Sequence, residues 1–352
     1  MEDTVYPHSW TREGFLGDAA VTLRPHPITD YVSVVGPHAP HRIDITKIKA
    51  LDASDPAEPP TIFARSSTGL TLAVSARSEP TPFVWRNAEY DEVHFVQDGE
   101  FDYVTDWGTL AVREGDFVFL PRAASYRVIP TTQSTLRVII ETPETIGLNP
   151  EALRGMVNTA RDVHRPDTAR TSQQSGETIL LIRAADGITR FTMKDDPLAM
   201  TSLVAGQPPV WKVNLADIQA TVYLPHGGPP THFAETPTKD LLLYPASSRP
   251  GGRPPQHHNA DYDELLFYFR GPAPYGGLSE PGSTVWIPKA VAHRGPEEDV
   301  EGGFEAWLVE SGGTLRLTSE GLAAAVLMET SEFHPLQRSE TADGGQETPS
   351  TD

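Results

Sequence analysis

The stretch Pro254-Pro255-Gln256-His257-His258-Asn259-Ala260-Asp261-Tyr262-Asp263-Glu264 places two histidines and a glutamate just before an apolar run. That run, Leu265 to Phe269, predicts a β-strand, and Arg270-Gly271-Pro272 predicts the turn that ends it. Further along the chain, Ile287-Pro288-Lys289-Ala290-Val291-Ala292-His293 supplies another histidine. Two imidazoles and one carboxylate can bind one face of a metal ion and leave its other positions open. The pattern therefore predicts a metal pocket.

A degenerate copy of this pattern lies in the first half of the chain. Trp85-Arg86-Asn87-Ala88-Glu89-Tyr90-Asp91-Glu92-Val93 aligns without a gap with residues 257–265, and residues 119–127 align with residues 286–294. A repeat of this length predicts two like domains. Where the second copy has histidines, the first copy has Trp85, Arg86 and Tyr126. We therefore expect a metal site in the second half only.

Two adjacent histidines leave open which of them joins Glu264. Side chains alternate along a strand, so His257 and Asn259 point to one face and His258 to the other. The aligned residues favour His257, because Trp85 in its place suits a filled core, whereas Arg86 in place of His258 suits an outward position. We favour His257 as the ligand and keep His258 as the alternative.

Composition excludes several classes of function. The chain has 352 residues and a formal net charge of −20, which repels phosphate backbones and anionic lipid, so we expect no nucleic-acid or membrane partner. No apolar run is long enough to span a bilayer and no signal-peptide pattern opens the sequence, which predicts a cytoplasmic protein. Cysteine is absent, so a metal site must use histidines and carboxylates.

Short apolar runs separated by Gly, Pro and Asp turns predict an all-β fold, with two jelly-roll barrels in tandem. Asn149-Pro150 predicts the start of a helix, and Ala-rich residues after Ser319 predict another. The expected units are an irregular lead-in (1–60), a metal-free barrel (61–148), a helix and linker (149–177), a metal-binding barrel (178–318), a C-terminal helix (319–336) and a disordered tail (337–352).

The pattern His-x-Asn-Ala-Asp-Tyr-Asp-Glu, followed by an apolar strand, a Gly and a later Pro-x-x-x-x-His, resembles the homogentisate 1,2-dioxygenase family of bicupins. It is most similar to shorter bacterial members, which include the iron subunits of hydroquinone dioxygenases. Homogentisate dioxygenase proper has one residue fewer between the Asn and the Glu. The resemblance implies Fe(II) held by His257, Glu264 and His293, with Asn259 at or near the metal.

The resemblance also implies cleavage of a hydroxylated aromatic ring with O2, in a homo-oligomer or with another cupin subunit. His226 and His232 are candidates for deprotonating the phenol, since the pKa of histidine lies near neutrality. Candidates for holding the substrate are Arg249, Arg253, Arg270, Arg294 and Tyr262, the arginines through a bidentate pair with a carboxylate. The alternative is a metal-binding bicupin without oxygenase activity, such as an isomerase or an accessory subunit.

Overall fold

A computed structural model describes residues 5–29, 31–220, 231–251, 253–273, 278 and 280–328. The strands of the first half are β1 (Tyr6–Thr11), β2 (Ala19–Arg24), β3 (His41–Asp44), β4 (Thr61–Ser66), β5 (Thr71–Ser75), β6 (Val84–Asn87), β7 (Asp91–Asp98), β8 (Phe101–Thr105), β9 (Gly108–Val112), β10 (Asp116–Leu120), β11 (Ser125–Pro130), β12 (Leu136–Thr142) and β13 (Gly147–Leu148). The second half contains β14 (Thr178–Ala184), β15 (Gly187–Met193), β16 (Trp211–Asn214), β17 (Ala234–Glu235), β18 (Leu241–Pro245), β19 (Gln256–Asn259), β20 (Asp263–Arg270), β21 (Ser283–Ile287), β22 (Glu305–Ser311), β23 (Leu315–Leu317), α1 (Ser319–Ala323) and β24 (Ala325–Leu327). The predicted all-β class is confirmed.

The strands form four sheets. A seven-stranded sheet (β16-β10-β7-β12-β5-β4-β23) and a six-stranded sheet (β15-β14-β6-β11-β8-β9) make the first barrel. An eight-stranded sheet (β13-β17-β18-β22-β20-β21-β3-β24) and a three-stranded sheet (β19-β1-β2) make the second barrel. Within the seven- and eight-stranded sheets the neighbouring strands pair antiparallel, as in a jelly roll.

The two barrels exchange strands. β16 and β23, from the second half, pair with β10 and β4 of the first barrel, and the hairpin β14–β15 adds to it through β6. In return, β3 from the N-terminal segment pairs with β21 of the second barrel. These strand pairings connect residues that the sequence analysis assigned to different units. The division of the chain into those units stays a prediction.

The seven- and eight-stranded sheets share one apolar core. Trp307, fully buried on β22, stacks on Phe267 with ring centroids 4.1 Å apart and contacts Phe95 of the first barrel at 4.8 Å. Phe117, on β10, meets the same indole edge-on at 5.3 Å. Because burial of large aromatic side chains dominates core energetics, this contact fixes the second barrel against the first.

Both predicted helices are shorter in the structure. Near Asn149 there is only a 3-10 turn, Ala152–Arg154, which ends at Gly155 with φ +157°. After Ser319 the helix ends at Ala323, and Ala325–Leu327 forms β24 against β3. Pairing with an edge strand overrides helical propensity there. Residues 329–352, including the predicted tail, lie outside the described part of the chain. No helix among the described residues is long and apolar enough to cross a membrane.

Candidate metal centre

Three buried side chains of the second barrel converge on one point. His257 lies on β19, Glu264 lies on β20, and His293 lies in the segment after β21. Each offers one ligand atom, and these atoms all lie within 4.8 Å of one another. His257 and His293 also form a β-bridge, with N–H···O distances of 2.9 and 2.8 Å in the two directions. The bridge fixes the two imidazoles side by side, with ring centroids 4.2 Å apart.

Backbone carbonyls set the orientation of both imidazoles. Nδ1 of His257 donates to the carbonyl of Pro255 at 2.9 Å, and Nδ1 of His293 donates to the carbonyl of Val291 at 3.0 Å. A hydrogen bond from Nδ1 fixes the tautomer and leaves the Nε2 lone pair free for a metal. Nε2 of His293 lies 3.4 Å from Oε2 of Glu264. The donor set of two imidazole nitrogens and one carboxylate therefore fits a divalent transition metal.

Asn259 orients the carboxylates of the site. Its Oδ1 accepts the backbone N–H groups of Asp261 and Tyr262 at 3.0 and 3.3 Å, which makes a tight turn. Its Nδ2 lies 3.5 Å from Oε1 of Glu264 and 3.4 Å from Oε1 of Glu310. Because the amide oxygen is engaged by the backbone, Asn259 acts next to the ligand Glu264 and is not placed as a ligand itself.

His258 points away from the three converging side chains. Its Nδ1 lies 3.0 Å from Nε2 of His8, and the two rings stack with centroids 4.9 Å apart. Burial, followed by the neighbouring His258, lowers the pKa of His8 to about 4, so His8 is uncharged at neutral pH. Burial also lowers the pKa of His258. The alternation of side chains along β19 therefore places His257, rather than His258, with Glu264.

The electrostatics of the three side chains are those of a cation site. Burial, together with the neighbouring His293, lowers the pKa of His257 to about 3, so its imidazole is neutral. Burial opposes a charge on His293, but the Glu264 carboxylate outweighs it and raises the pKa of His293. Burial likewise opposes a charge on Glu264, yet His293 holds its pKa below the usual value. A metal ion would replace the proton that Glu264 draws to His293.

A cavity of about 80 Å³ opens beside these side chains. Apart from His257, Glu264 and His293, its described lining consists of Phe15, Tyr244, Ala246, Arg249, Pro254, Leu266, Ile287, Gly295, Pro296, Glu298, Phe304, Leu308 and Glu310. Most of this wall is apolar. Arg249 reaches the wall with its charge paired to Glu298, Nη2 to Oε1 at 2.5 Å.

Tyr244, Glu298 and Glu310 are polar residues of this wall that the sequence reasoning missed. The Tyr244 hydroxyl donates to Oε2 of Glu310 at 2.7 Å. Burial and the nearby Glu264 raise the pKa of Glu310 well above its usual value. In the sequence, Glu310 closes an apolar run as Glu141 does in the first half, and this repeat is the local signal for it. Its pairing with Glu264, like that of Glu141 with Glu92, appears only in the fold.

Of the two candidate proton acceptors, the structure describes only His232. His232 is buried outside the described cavity wall, with Nε2 2.8 Å from Oε2 of Glu235 and its ring against Tyr244 at 5.4 Å. Its assignment as a base stays a prediction, and Tyr244 is the residue that lies both against His232 and in the cavity wall. His226 lies outside the described residues.

The remaining substrate candidates also lie off the described cavity lining. Nε of Arg253 donates to the backbone carbonyl of Gly295 at 2.7 Å. Nε of Arg294 donates to the backbone carbonyl of Pro254 at 3.1 Å. Arg270 is exposed and pairs with Glu305; six residues beyond Glu264 on β20, it is about 20 Å away along the strand. Tyr262 packs in an apolar cluster. All four assignments stay predictions, and the distance of Arg270 along β20 argues against a contact with a substrate at Glu264.

The first barrel repeats the framework without the imidazoles. Trp85 and Tyr126 pair across β6 and β11 at the positions of His257 and His293. Both point at Glu92: the Tyr126 hydroxyl donates to Oε2 at 2.5 Å, and the Trp85 indole donates to Oε1 at 3.3 Å. The fold is that of a bicupin. Within the described residues, the side chains 257, 264 and 293 are the group of three or more His or carboxylates that could hold a metal ion.

Comparison with known proteins gives remote similarities. A Saccharolobus solfataricus protein named "Putative dioxygenase" is 25% identical over 203 residues, which cover 54% of this chain and 52% of that protein. The chain thus spans about half the length of this curated relative. No family model matches the chain.

Solved structures with related folds are also remote in sequence. Salicylate 1,2-dioxygenase from Pseudaminobacter salicylatoxidans is 12% identical with a TM-score of 0.47, covering 81% of this chain and 90% of that chain. A deletion mutant of Bacillus subtilis oxalate decarboxylase is 12% identical with a TM-score of 0.40, covering 81% and 79%.

Proposed function

We propose that the protein is an Fe(II)-dependent dioxygenase that cleaves a hydroxylated aromatic ring with O2. The observation that carries the proposal is the convergence of His257, Glu264 and His293 beside a mostly apolar cavity. Two imidazoles and one carboxylate on one face of Fe(II) leave adjacent positions open, which is the donor set of non-haem iron oxygenases. The name of the Saccharolobus solfataricus relative points to the same reaction class. Iron bound there would supply the redox chemistry that O2 requires.

The residues of the chain would bind and orient the ring. Phe15, Leu266 and Phe304 line the cavity with apolar surface, which favours an aromatic body and excludes water. The hydrogen-bonded pair Tyr244–Glu310 places a hydroxyl and a carboxyl in the same wall, where it can bind a phenolic hydroxyl. We assign to Glu310 the role of accepting a hydrogen bond from the substrate hydroxyl.

Oxygen consumption tests this proposal. The full chain would be loaded with Fe(II) anaerobically and mixed with hydroquinone, homogentisate or gentisate in an oxygen electrode. We expect one O2 consumed per ring opened, with the product gaining two oxygen atoms by mass spectrometry. Glu264→Ala should abolish the reaction, because the carboxylate ligand is lost. Glu310→Gln should retain iron and lower turnover.

Two results would separate the proposed oxygenase from the alternative function. Iron-loaded protein that consumes no O2 with any of these phenols, both alone and together with a smaller cupin subunit recovered by pull-down, would contradict the proposal. Bound iron together with substrate isomerisation would instead support a metal-binding bicupin without oxygenase activity.

A further inference from the structure

A second cavity lies inside the first barrel, apart from the candidate metal centre. Its volume is about 300 Å³, against about 80 Å³ for the cavity beside His257. Apolar side chains make up much of its described wall: Ile62, Ala73, Phe83, Trp85, Val128, Ile139, Leu181 and Ile188. Ala57, Glu58 and Pro59 are exposed lining residues and form its rim. The cavity is therefore large enough, and open enough, for a small organic molecule.

Arg137 contributes a buried cation to this wall. It lies on β12, on the face that also carries Ile139 and Glu141, and is 2% exposed. Its Nη1 donates to the Tyr103 hydroxyl and its Nη2 to the Ser75 hydroxyl, both at 2.6 Å. Its Nε is buried and has no hydrogen-bond partner among the described residues. The guanidinium also lies over the rings of Phe101 and Tyr103, at 4.7 and 5.7 Å from the ring centroids. All of these partners are neutral, so none of them is a counter-ion for its charge.

The other buried charged groups of the wall already have polar partners, whereas Glu58 lies exposed at the rim. Arg77 lies 3.4 Å from Asp52, and Arg183 donates to Glu141. Glu92 accepts hydrogen bonds from Tyr126, Asn87 and Trp85, and it also lies 3.2 Å from Nε2 of His94. Among the described lining residues, Arg137 is thus the arginine that has no carboxylate within ion-pair distance.

We propose that this cavity binds a small organic carboxylate with an apolar body, whose carboxylate pairs with Arg137. A buried charge without a counter-ion is costly, and an anion that supplies one relieves that cost. Guanidinium geometry matches a carboxylate, and a ligand carboxylate would supply the counter-ion that Arg137 lacks. The aromatic and aliphatic walls, with Trp85 and Phe83 among them, take the apolar body. This site is independent of the proposed oxygenase reaction.

Binding of matched ligands to the full chain tests the proposal. Calorimetric titration and Trp fluorescence would compare benzoate, phenylacetate and 3-phenylpropionate with their neutral amides. We expect one site per chain for at least one acid and at least about tenfold weaker binding of its amide, because a charge-assisted hydrogen bond is lost. Binding should persist after chelation and in His293→Ala, since neither change touches the first barrel.

Two variants locate the site. Arg137→Met removes the charge and should weaken acid binding by at least about tenfold. Ala73→Leu keeps Arg137 but fills the cavity, and it should also abolish binding; it decides the matter if Arg137→Met does not fold. The proposal would be overturned if none of the three acids bound, or if an acid and its amide bound equally well. It would also be overturned by loss of binding on chelation or by unchanged binding in Ala73→Leu.

Discussion

The two barrels share the same arrangement of backbone turns and hydrogen bonds but carry different side chains on it. In both, an asparagine (Asn87 or Asn259) turns the chain and directs its Nδ2 to a glutamate. In both, the backbone N–H of an alanine further along the chain donates to the carbonyl of that asparagine. This alanine has a left-handed backbone conformation, with φ of 65° at Ala123 and 66° at Ala290. The framework is thus common to both halves, and it positions whichever side chains the sequence supplies.

The difference lies in what neutralises the central glutamate. In the first barrel, Tyr126 and Trp85 donate hydrogen bonds to Glu92, so its buried charge is satisfied by the protein alone. In the second barrel, the same positions carry His257 and His293, whose Nδ1 atoms are tied to the backbone. These two changes, together with His94 beside Glu92 where the second barrel has Leu266, separate a self-contained polar network from a site that fits a cation.

Removing one imidazole should have the largest effect. His257→Ala or His293→Ala should lower the metal content after dialysis from about one per chain by at least about tenfold, because two ligands cannot hold the ion on their own. Metal analysis of the purified variants checks this. Metal retained at the wild-type level in both would show that the ion binds elsewhere.

Introducing the two missing histidines into the first barrel should create a second metal site there. In the double variant Trp85→His with Tyr126→His, we expect the metal content to rise from about one to about two per chain, since Glu92 and the bridging backbone are already in place. The single variants serve as controls and should stay at about one. A folded double variant with no additional metal would mean that the shared framework is not sufficient.

Replacing the asparagine should change metal affinity in the second barrel and not in the first. Asn259→Ala should weaken metal affinity by about 10 to 100-fold, the usual cost of losing a group that orients a ligand. Asn87→Ala should leave metal affinity unchanged, because its partner Glu92 binds no metal. Competition with a chromophoric chelator measures both, and equal losses in the two variants would argue against separate roles.

Tyr126→Phe tests the hydrogen-bonded network by pH. Burial alone would raise the pKa of Glu92, but hydrogen bonds, from His94 and Tyr126 among others, hold it below its usual value. A lowered pKa stabilises the fold above the unfolded-state pKa, and this stability is lost as pH falls through the folded-state pKa. We expect Tyr126→Phe to cost about 1 to 3 kcal/mol at pH 7 and acid unfolding to begin at a higher pH. Urea and acid titrations followed by circular dichroism check both shifts, and an unchanged acid midpoint would contradict the account.

His258→Ala should have the smallest effect on the metal. Its ring stacks on His8, away from the site, so metal content should remain at about one per chain. Beside His257→Ala, this is the matched control for an adjacent histidine. A loss of metal equal to that of His257→Ala would reverse the assignment of the two histidines.

Local patterns in the sequence predicted much of this arrangement. The alternation of side chains favoured His257 over His258, and the gapless repeat anticipated Trp85 opposite Tyr126. The apolar runs after Glu92 and Glu264 became β7 and β20. These features depend on residues that are close in sequence or repeated, so a single chain contains their signal.

Long-range pairings could not be predicted in the same way. The exchange of β3, β16 and β23 between the barrels depends on tertiary contacts that no local period encodes. Glu310 escaped notice because its role depends on pairing with Glu264 across the sheet. His232 drew attention by residue type, yet its environment, against Glu235, is set by the fold.

An anomalous-difference map of crystals loaded with Fe(II) under anaerobic conditions tests the central claim most directly. The account predicts one iron peak per chain, within coordination distance of Nε2 of His257, Nε2 of His293 and the carboxylate of Glu264, and none beside Glu92. An iron peak elsewhere, or no peak in crystals whose protein binds iron in solution, would contradict it.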